Sequence, residues 1–150
     1  MRKFEFETIF GQVPTDANSY QVVADSTQAN GQKVLRSDLV QGYEHAFMQQ
    51  CAKYANRQIL GQFRLLATIY TGKEAFDLGS PIKTILNYLQ IVRAVADKGK
   101  CSEVIVRKIV DVRHPRIEFV LDEVEHPMDI AALSDFLNRE SVQQTKGGKL

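Results

Sequence analysis

Residues 63 to 70, Phe-Arg-Leu-Leu-Ala-Thr-Ile-Tyr, constrain the fold more than any other part of the chain. Apolar and β-branched side chains fall on both parities of the run, and a strand sends successive side chains to opposite faces. Such a strand has to be covered on both faces, so it belongs in the centre of a sheet. At 150 residues and 17.0 kDa the chain has room for one such core and no second full domain. With 44% hydrophobic and 25% charged residues, it is neither mainly disordered nor fibrous.

The flanking segments supply partners for that strand. Phe4, Phe6 and Thr8 alternate with Glu5 and Glu7, and β-prone residues continue to Phe10 before Gly11, which predicts a first strand. Tyr20 to Ala24 and Lys33 to Arg36 flank Asn30-Gly31, a pair that tolerates the positive φ of a turn, so a two-stranded ribbon is expected. Ser37 or Asp38 caps a helix over 38 to 57, with Leu39, Tyr43, Ala46, Phe47 and Tyr54 at helical spacing and Gln49, Gln50, Lys53 and Arg57 mostly solvated. Ser80-Pro81 starts a second helix, serine as cap and proline at the first helical position, with Ile82, Ile85, Leu86 and Leu89 as its buried stripe. Val104 to Val112 and Ile117 to Val124, separated by Arg113-His114-Pro115, read as an antiparallel pair. Pro127 opens a last helix to about Glu140 carrying Ile130, Leu133, Phe136 and Leu137. The expectation is a mixed α/β (α+β) fold: two core helices packed on a mixed sheet, plus a C-terminal helix. The main domain spans 1–125, the appended helix 126–142 and a frayed tail 143–150.

No run reaches the roughly 20 apolar residues of a membrane span, and Met1-Arg2-Lys3 is followed by Phe-Glu-Phe-Glu instead of a leader core, so no membrane partner is expected. Cys51 and Cys101 have neither disulfide nor zinc spacing, which suits a reducing cytoplasm. His45, His114 and His126 are too scattered to ligate a metal together. The net charge of +1 is unevenly spread. Residues 1 to 116 hold sixteen Lys or Arg against eleven Asp or Glu, while residues 117 to 145 hold seven acids against Arg139 alone. Any phosphate-binding surface is therefore expected on the first two thirds.

The stretch Asp77-Leu78-Gly79-Ser80-Pro81-Ile82-Lys83, running on to Leu86-Asn87-Tyr88-Leu89, resembles the core motif of the RusA-like Holliday junction resolvases. That motif reads Asp-Leu-Asp-Asn, a lysine three residues on, and a helical Leu-Asp-x-Leu. Val13-Pro14 to Asn18-Ser19-Tyr20, Lys33 to Tyr43, and Arg107-Lys108 through Asp111 to His114-Pro115-Arg116-Ile117-Glu118-Phe119 are similar to the family's other segments in the same order, covering about 120 residues. The resemblance implies a small homodimer, often phage- or prophage-borne and acting in the bacterial cytoplasm, that cuts four-way DNA junctions with magnesium. Asp77 and Lys83 match the catalytic motif in place. Gly79, Ser80, Asn87 and Lys98 stand where the family has Asp, Asn, Asp and Asp.

Divalent cations need converging carboxylates, so the metal-ligand set shrinks to Asp77, or to a rebuilt trio of Glu74, Asp77 and Asp97. Magnesium is expected only if such a site survives, and no other cofactor. Lys83, Lys98, Lys100, Lys108, Arg113 and Arg116 are the DNA-binding candidates. Three functions follow: a junction-binding homodimer whose cleavage is reduced or lost, a non-catalytic phage-type protein that binds or inhibits a host or phage protein, or an active resolvase whose rearranged metal site uses the carboxylate trio. Val22, Val23, Val34 and Leu35 of the ribbon are candidates for the surface between subunits.

Overall fold

The computed structural model describes residues 4–15, 20–124 and 133–138. In chain order they form β1 (Glu7–Phe10), β2 (Tyr20–Ala24), β3 (Gln32–Arg36), α1 (Asp38–Gln50), β4 (Phe63–Thr71), α2 (Gly79–Ile91), β5 (Cys101–Val110) and β6 (Arg116–Glu123). The fold is mixed α+β. Four strands make one mixed sheet in the order β1-β6-β4-β5, and β2 and β3 make a separate antiparallel ribbon.

All nine residues of β4 are buried, as both-parity apolarity requires, and β4 lies inside the sheet. Its two faces meet different layers. On one, Leu65, Ala67 and Ile69 join Phe119 and Ile117 of β6 beneath Tyr43 and Phe47 of α1 and Ile85, Tyr88 and Leu89 of α2. On the other, Leu66 and Val120 pack on Phe136 of the helical residues 133–138, and the Phe136 ring stacks on Phe6 at 6.0 Å and meets Phe4 edge-on. The remainder of the expected last helix and the tail 143–150 lie outside the described residues.

The ribbon forms as expected, with Gly31 at φ +70 beside Asn30. Ser37 caps α1 by accepting the Val40 amide at 3.3 Å. Val22 is 61% exposed and Val23 half-buried, while the side chains of Val34 and Leu35 are outside the described residues.

Five expectations are corrected. First, α1 ends at Gln50 and not at 57, because the Lys53 amide donates instead to the Glu7 carboxylate at 2.6 Å and the Tyr54 hydroxyl to the Glu5 carbonyl at 2.5 Å. Leu39 is 58% exposed, and the inward stripe is Val40, Tyr43 and Phe47. Second, Gln50 is no solvated residue: its side-chain amide accepts from the Phe10 amide at 2.7 Å and donates to the Phe10 carbonyl at 3.3 Å, closing the outer side of β1. Third, the first strand begins only at Glu7: Phe4 and Phe6 precede it and pack on Phe136, while Glu7 and Ile9 are buried on the α1 side, Glu7 tolerating burial through the Lys53 amide.

Fourth, β5 and β6 do not pair. The Asp111-to-Pro115 connection carries the chain over the end of β4, so β5 runs parallel to β4 on one side and β6 antiparallel on the other. Fifth, Ser80 does not cap α2. The helix begins at Gly79, whose amide donates to Asp77 Oδ1 at 3.1 Å, and Ser80 lies buried inside the first turn with its hydroxyl unbonded. Only Ile85 and Leu89 of the expected stripe are fully buried, whereas Ile82 and Leu86 are half-buried. Leu89→Ala is therefore expected to cost about 2–5 kcal/mol and Leu86→Ala clearly less, measured as urea midpoints at constant m.

Asp111 holds the crossing connection. Its carboxylate accepts the Arg113 and His114 amides at 3.2 and 3.1 Å and the Arg116 guanidinium at 3.1 Å. Partial burial opposes ionisation, but the His114 amide, the Arg116 guanidinium and the Arg113 amide outweigh it and keep the carboxyl below its ordinary value of 3.8. A carboxyl whose folded pKa is depressed stabilises the fold above the unfolded pKa and loses that contribution as pH falls through the folded one. Asp111→Ala should cost about 1 kcal/mol at neutral pH. Its chemical-denaturation curve should converge toward the parent's as pH drops below 3.8.

Candidate nucleic-acid interface

The outward stripe of α2 is set by helical spacing: Gly79, Ile82, Lys83, Leu86 and Asn87 share one face. The chain then returns past that face. Asp97 Oδ1 accepts the Gly99 amide at 2.8 Å, forming a single 3₁₀ turn over Lys98–Lys100, and the Lys98 amide donates to Gln90 Oε1 at 2.9 Å. Helix face and turn enclose a groove of about 430 Å³, with Ile82 and Leu86 as its apolar floor and Lys83, Asn87, Asp97 and Lys98 around it. Inside it the Lys98 ammonium donates to Asn87 Oδ1.

This groove gathers Lys83, Asp97 and Lys98 of the candidates, together with Gly79 and Asn87. Asp77 is exposed beside it and accepts the Gly79 amide through Oδ1; a Cβ added at Gly79 would lie 3.6 Å from that oxygen, in ordinary contact. Glu74 is exposed, and its backbone carbonyl accepts the Lys108 ammonium at 2.7 Å. Among the described residues no three His, Cys, Asp or Glu side chains are gathered for a metal, so Glu74, Asp77 and Asp97 do not form a trio.

The basic candidates separate into two groups at opposite ends of β5. Lys98 and Lys100 precede the strand and Lys100 is exposed; Lys108, Arg113 and Arg116 lie at or beyond its far end. Arg116 is a structural cation: its guanidinium sits 3.7 Å from the Tyr70 ring centroid and pairs with Asp111 at 3.1 Å and Glu118 at 3.5 Å. Arg113 is exposed on the crossing connection. Burial raises the Cys51 thiol to about 11 and also raises Cys101, so neither is primed as a nucleophile. His45 and His114 are exposed, and His126 is outside the described residues.

Two features escaped the sequence pattern. Ile82 and Leu86 look like core residues but floor the groove; the signal was their sharing a face with Lys83 and Asn87. Arg64, alone in an apolar strand, is 2% exposed and bonds Asp122 at 3.1 Å and Glu103 at 2.5 Å. Glu118 and Asp122 are thus buried partners of Arg116 and Arg64, and the acidic last third is less acidic at the surface than its residue count suggests.

No helix among the described residues is long and apolar enough to cross a membrane. No family model matches the sequence, and no curated protein matches it.

Proposed function

We propose that the protein is a RusA-type homodimer that binds branched DNA at the α2 groove, with endonuclease activity reduced or lost. One observation carries this reading: Gly79, Asn87 and Lys98, which stand at acidic positions of the family, and Lys83, which matches its motif lysine, are spread over twenty residues and meet around one groove. The donor set there does not fit a divalent cation. Gly79 brings no side-chain ligand, the Asn87 oxygen accepts the Lys98 ammonium, and among the described residues no three His, Cys, Asp or Glu side chains are gathered for a metal. Lys98 instead places a fixed positive charge where a metal would otherwise neutralise phosphate. Lys83 and Lys100 add to it, and the residues supply electrostatic docking of a DNA backbone without groups to activate water.

The test is an electrophoretic shift of a four-way junction against duplex at about 50 and about 200 mM salt, with and without magnesium. Junction binding should not require magnesium and should be steeply salt-sensitive. Lys83→Ala with Lys98→Ala should flatten the log–log salt slope by up to about two units. Magnesium or manganese should not support efficient cutting, and Gly79→Asp with Lys98→Asp should bring metal-dependent cleavage toward the family's chemistry. Efficient metal-dependent cutting by the unmodified protein would overturn the reduced-activity reading. Absence of any shift at low salt would overturn DNA binding and put the protein-partner reading in its place.

A further inference from the structure

We propose that the outer edge of β5 is the dimer interface: β5 pairs antiparallel with β5 of a second copy about a twofold axis that passes between Ile105 and the partner's Ile105. This names the surface for the homodimer in the reading above. It rests on that self-association and not on DNA binding.

The sheet order ends on β5, and among the described residues no strand pairs with its outer side. The opposite edge, β1, is four residues long and is closed at Phe10 by the Gln50 amide. β5 is ten residues long, with Val104 39% and Val110 48% exposed. A long edge carrying apolar side chains is a template for another strand.

Charge decides which strand and in which register. From Glu103 onward β5 alternates regularly: Glu103, Ile105, Arg107 and Ile109 share the face of Arg64 and Leu66, and Val104, Val106 and Lys108 the other. A twofold perpendicular to the sheet keeps like faces together, so residues that face one another across it have the same parity. Centring on Glu103, Arg107 or Lys108 sets like charges opposite each other. Centring on Val104 leaves Glu103 opposite the partner's Ile105, and centring on Val106 leaves Arg107 there. Centring on Ile105 sets Glu103 opposite the partner's Arg107, Arg107 opposite the partner's Glu103, and Val104 opposite the partner's Val106. This register alone sets Glu103 against Arg107 and Val104 against Val106, with Lys108 opposite the partner's Ser102, and cross-strand pairs of the first two kinds stabilise a sheet. Glu103 already bonds Arg64, but its side chain remains 53% exposed and can accept from a second guanidinium; Arg107 is likewise partnered within its own subunit, and a guanidinium with five N–H donors can reach a further carboxylate. The result is an eight-stranded sheet continuous across the two subunits.

The experiment uses the full chain carrying Ile105→Cys. Opposed residues bring Cβ atoms to about 4.5–5.5 Å, within reach of a disulfide after small adjustment. Under mild oxidation, Ile105→Cys should cross-link to twice 17.0 kDa on a non-reducing gel, whereas the unmodified protein and Val22→Cys should not. Val104→Cys with Val106→Cys, on the opposite face, is the second variant and should cross-link likewise. Arg107→Glu alone should lower the dimer fraction in light scattering, and mixing it with the Glu103→Arg chain should recover a heterodimer. A concentration-independent monomer, or cross-linking through Val22→Cys and not through the β5 variants, would overturn the proposal. A junction shift without β5 cross-linking would overturn this interface and leave DNA binding standing; cross-linking without a shift would do the reverse.

Discussion

Replacing Arg64 by alanine is expected to destabilise the fold by about 3–5 kcal/mol, a large fraction of what holds a domain of this size together. The reason is what the change leaves behind. Arg64 is 2% exposed in the middle of the sheet, and its guanidinium is the bonded partner of Asp122, itself 9% exposed. Without it, the Asp122 carboxylate stays buried and loses the guanidinium, and removing one member of a buried ion pair costs more than the pair contributed. Removing both charges should be far milder: Arg64→Met with Asp122→Leu is expected near neutrality, since apolar groups of similar volume often replace a buried pair without loss. Glu103→Gln should cost less than about 1 kcal/mol, because that partner is half exposed and screened. Urea unfolding of the four proteins at constant m measures all three. An Arg64→Ala loss below about 1 kcal/mol would show that the network contributes little.

Phe119→Ala should have a comparable effect, about 3–5 kcal/mol, through a cavity. Phe119 is fully buried on β6, its ring stacked on Phe47 of α1 at 6.0 Å with planes 9° apart and tilted against Tyr54 at 5.8 Å. Its neighbour across the ladder is Ala67, small enough to leave room for the aromatic layer. Deleting the ring removes apolar contact with both the helix and the turn that follows it, and the surrounding sheet relaxes only in part. Phe10→Ala is the control: the same residue type at 58% exposure should change stability by less than about 0.5 kcal/mol. Thermal or urea midpoints compare the two, and equal losses would show that the aromatic layer does not carry the core.

The sequence pattern was most informative where its signal is local. Two-parity apolarity in residues 63–70 required a strand inside the sheet, Asn30-Gly31 required a turn that admits positive φ, and Ser37 supplied a helix cap three residues before the Val40 amide it accepts. Each depends on side-chain volume or backbone freedom over a few residues. The groove was legible only in part. Helical spacing puts Gly79, Lys83 and Asn87 on one face, but nothing local says that Lys98 folds back to donate to Asn87, or that Ile82 and Leu86 face that groove more than the core.

Alternation shows that a segment is a strand, but which parity is covered depends on what arrives from elsewhere. Glu7 is buried because the Lys53 amide, forty-six residues away, reaches its carboxylate, and Arg64 is buried because Asp122 comes to it from fifty-eight residues away. Strand order is of the same kind. β5 and β6 lie next to each other in sequence and are kept apart in space by β4, which takes β5 parallel on one edge and β6 antiparallel on the other. By itself the sequence determined that this chain makes a sheet around one doubly covered strand, with amphipathic helices to cover it. The tertiary structure alone decided which strands are neighbours, which charges are buried and which side chains share a groove, since those depend on free energies summed over contacts between residues far apart in the chain.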